Sequence, residues 1–245
     1  MQNQIKLRWQ QIPSPTVSEI LCQGNNDGIV LDTEHGFMNT ETLVSCIQVI
    51  KLSGKKCFVR VSTATTDKIR LFLDNGSDGI IFSTVQSESR AKKLISRCNF
   101  PESGGNRGLG LVRQNMWGHK KLISKPPILI AQIETKQGVD NIVEISRCGF
   151  DFFMLGPYDL SSSLGEPGNF ESKIYRKYVS KFCDAIDENR RGVHVPTDVQ
   201  NQIPKYNNFG IVALGMDTIA LLEKNKEYDN CCLLYTSDAA DEPMR

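Results

Sequence analysis

Short apolar runs of β character recur along the whole chain, each opened by a Gly or a polar turn and followed by a helical stretch. They fall near residues 6–12, 28–32, 57–61, 79–82, 128–133, 152–155, 192–195 and 210–214. Near-continuous apolar strands are those covered on both faces, and strand–helix alternation sets neighbouring strands parallel. Eight such steps are the number that closes a (β/α)8 barrel, so the expected fold class is α/β, a single-domain TIM barrel. The length of 245 residues suits one such barrel. Amphipathic stretches at Thr40 to Leu52, Thr66 to Asn75, Ser87 to Ser96 and Glu171 to Asn189 supply helices, with caps expected at Asn39, Thr66 and Ser87. No Gly-x-Gly-x-x-Gly follows the first clear strand, which weakens a dinucleotide-binding reading.

Composition narrows the partners. A net charge of +1 without a basic stripe gives no footprint for nucleic acid, and no apolar run approaches the length of a membrane span. A small-molecule substrate is expected. The cysteines at 22, 46, 57, 98, 148 and 183 are scattered among apolar or helical neighbours with no C-x-x-C pair, as small buried hydrophobes in a reducing compartment are. With no secretion signal behind Met1, the expected location is cytoplasmic. From Cys232 to Glu242 the chain resembles a translated sequencing-library adapter. On that resemblance residues 1–230 form the barrel, and 231–245 are a non-native tail expected to be disordered.

Two acidic segments bear on chemistry. Ala131-Gln132-Ile133-Glu134-Thr135 and Gly156-Pro157-Tyr158-Asp159-Leu160-Ser161 each place one carboxylate just past an apolar run, 25 positions apart. That interval fits one strand–helix–strand step, so Glu134 and Asp159 can sit side by side at the barrel's catalytic end. Paired hard oxygen ligands suggest a divalent cation such as Mg²⁺ or Mn²⁺. Asp32-Thr33-Glu34-His35-Gly36 and Arg60 also close apolar runs. A 2-oxo acid chelated by such a cation develops negative charge on its keto oxygen when a carbon–carbon bond breaks; Arg60 can partner that oxygen, His35 can exchange a proton, and Asp32 can orient His35. These are the parts of a metal-dependent aldolase. Singly, an Asp at a strand end is more often a helix cap and an Arg a surface ion pair.

The Gly-rich segment Pro101 to Gly110 would face the substrate if it followed strand four directly. Arg107 then meets an anion; the other reading is a plain surface turn. His194 reads as a core or rim histidine, and His119 lies in the same long interval.

Asp32-Thr33-Glu34-His35-Gly36, Arg60-Val61, Leu73-Asp74-Asn75-Gly76, Arg107-Gly108-Leu109-Gly110, Gln132-Ile133-Glu134-Thr135 and Gly156 to Ser161 stand in the order found in the HpcH/HpaI aldolase family, which this chain resembles from about Ile12 to Leu222. The resemblance implies a class II pyruvate aldolase of the phosphoenolpyruvate/pyruvate-binding barrel superfamily, cleaving a 4-hydroxy-2-oxo acid reversibly to pyruvate and an aldehyde through a metal-bound enolate. It implies that Glu134 and Asp159 hold the metal (Mg²⁺, Mn²⁺ or Co²⁺), Arg60 holds the keto oxygen, and His35 transfers the proton with Asp32 beside it. Gln132 lines the metal pocket, and Asp74 completes the site of a neighbouring subunit in a homo-oligomer, hexameric in relatives that swap the last helix. Tyr158 departs from the Ala of many relatives and either narrows the pocket or adds a hydroxyl contact. The alternatives are a citrate-lyase-like or phosphoenolpyruvate-mutase-like enzyme, and a non-catalytic 2-oxo acid binding protein.

Overall fold

A computed structural model describes residues 4–62, 66–120 and 126–238. Its strands are β1 (Ile5–Gln10), β2 (Gly28–Asp32), β3 (Lys56–Val61), β4 (Gly79–Phe82), β5 (Ile128–Ile133), β6 (Phe152–Leu155), β7 (Arg191–Val195) and β8 (Ile211–Leu214). All pair in parallel in sequence order, and β8 closes on β1 with Ile5 opposite Ile211. The helices are α1 (Pro15–Cys22), α2 (Thr40–Leu52), α3 (Thr66–Asp74), α4 (Glu88–Cys98), α5 (Lys136–Asp140), α6 (Ile142–Ser146), α7 (Pro157–Ser163), α8 (Lys173–Ala185), α9 (Val199–Gln202) and α10 (Asp217–Asp238). The expected (β/α)8 barrel is the fold. Asn39 and Ser87 cap α2 and α4 as expected, accepting from the N–H groups of Thr42 and Arg90. The side chain of Thr66, the third expected cap, lies outside the described residues.

Strand periodicity sorts the core into two bodies. Ile29, Leu31, Cys57, Val59, Ile80 and Ile133 face outward and join the apolar stripes of the helices. Leu7, Trp9, Val30, Phe58, Ile81, Ile130, Met154, Ile211 and Ala213 fill the barrel interior. Successive side chains on a strand alternate faces, so two positions beyond Val30, Phe58, Ile81 and Ile130 the inward series continues as Asp32, Arg60, Ser83 and Gln132. Each turns polar at the carboxyl end. The barrel is thus a packed apolar plug with a buried polar layer on top of it.

Two expectations are corrected, that for the Gly-rich segment and that for the residues after 230. The Gly-rich segment follows α4 rather than β4. Asn106 donates its backbone N–H to Ser96 and Arg107 to Asn99, which binds the segment to the last turn of α4 and so to the amino end of the strands. Asp74 closes α3 at that same end. The segment from 231 onward, expected to be disordered, continues α10 in helical form as far as Asp238; no Gly or Pro interrupts Asp217 to Asp238 to stop it. Residues 239–245 lie outside the described residues. Cys22, Cys46, Cys57 and Cys98 are buried and unpaired, whereas Cys148 and Cys183 are half-buried. Among the described residues no helix is long and apolar enough to cross a membrane.

Candidate active site

Asp32 and Arg60 are opposite one another in the register of β2 and β3. Both are buried, and they meet in a two-point ion pair: Arg60 Nε donates to Asp32 Oδ1 at 2.9 Å and Nη2 to Oδ2 at 2.6 Å. Trp9 Nε1 and Gln11 Nε2 also donate to Asp32 Oδ2, at 3.2 and 3.1 Å. Burial alone would raise the Asp32 pKa, but the hydrogen bond and charge of Arg60, with Gln11 and Trp9, outweigh it and hold the carboxyl at about 2. Arg60 is gripped on its third nitrogen by Glu34, Nη1 to Oε2 at 3.0 Å, and its guanidinium lies 4.9 Å from the centre of the Trp9 ring. Of its five N–H groups, one on each terminal nitrogen has no partner among the described residues.

Asp32 also folds the loop that follows it. Its Oδ1 accepts the backbone N–H groups of Glu34 at 3.0 Å and His35 at 3.3 Å. Gly36 completes the turn, because a Cβ there would sit 2.2 Å from the Asp32 carbonyl oxygen. The expectation that Asp32 orients His35 therefore takes a different form. The contact reaches the backbone of His35, while its imidazole stands on the exposed loop at the mouth.

Glu134 follows β5 and is buried. Its Oε1 accepts both the backbone N–H and the hydroxyl of Thr84, each at 2.6 Å, whereas Oε2 has no partner among the described residues. Gln132 beside it leaves its amide oxygen unpartnered as well. Burial pushes the Glu134 carboxyl up to about 7; the Thr84 bonds oppose this, and the charges of Asp159 and Glu34 add to it. Gly156 makes the space, since a Cβ there would lie 2.6 Å from Glu134 Cβ and 2.9 Å from Oε2. Asp159 sits exposed in the first turn of α7, just past β6.

Two unpaired oxygens and a nearby second carboxylate form a donor set for a hard, partly hydrated divalent cation. Among the described residues no group of three or more His, Cys, Asp or Glu side chains is arranged as a metal cage. The unpaired oxygens of Glu134 and Gln132 are the kind of donor a hard divalent cation takes.

Tyr158 lies at this mouth, half exposed, its hydroxyl 3.4 Å from Thr197 Oγ1. His194 lies flat on Trp9, with ring centres 4.0 Å apart, and its Nε2 is 3.2 Å from the Gly215 carbonyl. Burial, with the Arg60 charge, holds its pKa down at about 4 against the opposing effects of Gly215 and Asp32, so it is neutral at pH 7.

Arg107 and Asp74 are not on this rim. Arg107 is 1% exposed, donates to Asp74 Oδ1 at 2.8 Å and to Gln114 Oε1 at 3.1 Å, and lies over the Phe100 ring. The anion that Arg107 meets belongs to its own chain. The sequence reading missed Ser83 and Thr84, which bind Glu34 and Glu134, and assigned no role to Glu34 or Gly156. A polar pair directly after the apolar run of β4 was the available signal. Thr84 is notable because it holds φ +54°, a left-handed conformation costly for a β-branched residue.

A sequence profile of the HpcH/HpaI aldolase/citrate lyase family matches residues 7–222. A 5-keto-4-deoxy-D-glucarate aldolase of Shigella boydii serotype 18 is 27% identical over 217 residues, covering 85% of this chain and 84% of the relative. Among solved structures, an HpcH/HpaI aldolase/citrate lyase family protein from Burkholderia cenocepacia J2315 superposes with a TM-score of 0.84 at 20% identity, covering 93% of this chain and 94% of that one. The citrate synthase SbnG superposes with a TM-score of 0.79 at 24% identity, covering 98% and 96%. At these identities the structural likenesses speak for the fold.

Proposed function

This chain belongs to the HpcH/HpaI aldolase/citrate lyase family and is a carbon–carbon lyase, and on that footing we propose that it is a divalent-metal-dependent aldolase that reversibly cleaves a 4-hydroxy-2-oxo acid to pyruvate and an aldehyde. The observation that carries this reading is the buried Glu134 carboxylate, with one oxygen doubly held and the other unpaired beside the unpaired oxygen of Gln132. A buried acceptor left without a partner is costly, and a cation offsets that cost.

Glu134 and Asp159 would hold the ion, with Gln132 lining its pocket. Bound there, Mg²⁺, Mn²⁺ or Co²⁺ supplies Lewis-acid stabilisation of negative charge at a keto oxygen. Arg60, clamped by Asp32 and Glu34, offers its two remaining N–H groups to the keto oxygen without reorganising. His35, on the loop folded by Asp32, takes the proton of the 4-hydroxyl. The C3–C4 bond then breaks, the aldehyde leaves, and protonation at C3 yields pyruvate. The Trp9 ring lies against the Arg60 guanidinium and is itself backed by the stacked ring of His194.

Asp74, at the opposite end from Glu134, suits a role toward the site of another copy in a homo-oligomer. The lack of a long apolar helix among the described residues is in keeping with a cytoplasmic enzyme of small molecules. The decisive test is pyruvate release from a generic 4-hydroxy-2-oxo acid with Mn²⁺ or Mg²⁺, repeated with EDTA. Release that survives chelation overturns the metal; exchange of pyruvate C3 protons for deuterium separates an enzyme from a mere 2-oxo acid binder.

A further inference from the structure

Beside the rim lies a cavity of about 300 Å³, walled by α7, α8 and the segment after β7. Its lining includes Tyr158, Phe170, Tyr175, His194, Thr197 and Tyr206. Tyr158 meets Phe170 edge to face at 5.0 Å, and Phe170 tilts against Tyr175 at 5.4 Å, so the wall is a run of rings with faces and edges toward the space. Tyr175 is 6% exposed, and its hydroxyl has no hydrogen-bond partner among the described residues. The Tyr158–Thr197 contact forms a lip between α7 and the segment after β7.

None of Arg60, Gln132, Glu134 and Asp159 lines the cavity, and two residues of its wall link it to them. Tyr158 directly precedes Asp159. His194 lines the cavity and stacks on Trp9, which in turn contacts Arg60. The cations at its edge meet Glu171, which is itself part of the lining: Arg176 donates Nε and Nη2 to the Glu171 carbonyl at 2.9 and 2.6 Å, and Lys205 faces the Glu171 carboxylate at 4.0 Å. This wall is not built for a carboxylate. A short polyhydroxylated aldehyde would find partners at the polar edge formed by Glu171, Thr197 and Gln202 but would leave the ring wall uncovered. A single aromatic ring fits the volume and the edge-to-face geometry, and the Tyr175 hydroxyl can meet a polar substituent on it.

We propose that this cavity binds the aldehyde half of the substrate and selects an aromatic aldehyde, an inference that rests on the aldolase reading above. In the synthetic direction, C3 of pyruvate gives up one proton and bonds the aldehyde carbon, whose oxygen takes up one proton to become the 4-hydroxyl. The test uses the full chain with Mn²⁺ and pyruvate and compares 4-hydroxybenzaldehyde with glycolaldehyde, with pyruvate C3 deuterium exchange read in the same samples. The aromatic aldehyde is expected to win by about tenfold or more in kcat/KM. Relative to exchange, Tyr158→Ala and Phe170→Ala should each cut aromatic addition about tenfold, while Tyr158→Phe keeps it. Equal or better use of glycolaldehyde alongside normal exchange overturns the proposal and leaves the aldolase reading standing. Absence of exchange overturns that reading instead. The cavity is then judged by calorimetric titration with 4-hydroxybenzyl alcohol: binding lost in Tyr158→Ala upholds a ring site, and no binding removes it.

Discussion

Each end of the barrel carries a buried arginine paired with an aspartate, and the two pairs are built differently. Arg107 and Asp74, at the amino end, sit among Phe100 and Gln114 with the guanidinium sealed from solvent. Arg60 and Asp32, at the carboxyl end, share the buried polar layer with Glu34, Gln132 and Glu134, where two acceptor oxygens lack partners and the mouth opens beside them. A closed pair holds chain segments together; a pair next to unpaired acceptors holds a donor ready for something that arrives. Burial and ion pairing alone do not distinguish structure from chemistry. The kind of group left unpaired among the described residues does: at the amino end it is a donor, Arg107 Nε, sealed from solvent, and at the carboxyl end it is two acceptor oxygens beside the open mouth.

The largest expected effect is on the open end. Chelation by EDTA, or Glu134→Ala, should lower pyruvate release by about 1000-fold or more, since under the proposed mechanism either one removes the charge stabilisation at the keto oxygen. Retained activity in Glu134→Ala would show that the cradle is not the metal site. Next, Arg60→Ala should reduce kcat by about 100- to 1000-fold. Arg107→Ala should instead cost about 3–5 kcal/mol of stability, through the uncompensated Asp74 charge, with kcat of the folded enzyme changed about tenfold or less. Denaturant unfolding and steady-state kinetics on both variants would erase the contrast if the two profiles coincided. Thr84→Val removes one of two donors on Glu134 Oε1 and should weaken Mn²⁺ binding about tenfold, read by titration calorimetry, whereas Thr84→Ser should preserve it.

A pH dependence bears on the same cradle. The Glu134 carboxyl is raised from 4.5 to about 7 in the fold. Its contribution to metal-free stability is thus fully present below pH 4.5 and lost as pH rises through 7, by at most about 3 kcal/mol. Asp32 has the opposite sign. Held at about 2 against an ordinary 3.8, it contributes stability above 3.8 that is lost as pH falls through 2. The gain in Tm on adding Mn²⁺ should therefore grow between pH 5 and pH 8. A constant gain would mean that Glu134 does not compete between proton and cation.

Much of the rim was legible in the chain. Asp32, Arg60, Gln132 and Glu134 each sit on or just past an apolar run, and a strand's alternation carries such positions inward. The roles were less legible. Arg107 looked like a rim cation because its Gly-rich segment could follow β4, yet α4 intervenes and carries it to the other end. Asp32 looked like a partner of the His35 ring but spends its oxygens on Arg60, Trp9, Gln11 and two backbone N–H groups. Thr84 carried one local mark, its place in a polar pair after β4, but its hold on Glu134 joins residues 50 positions apart and left no trace in the chain.

Repeating patterns along a chain are local, and local order is enough to count eight strand–helix steps and to put carboxylates at strand ends. Which oxygen of Glu134 is held and which is left unpaired depends on Thr84 and Gly156 arriving from neighbouring strands. The same is true of the ring-lined cavity, assembled from α7, α8 and the segment after β7. Those features exist only once the sheet closes, because closure sets the distances between groups that sequence spacing leaves free.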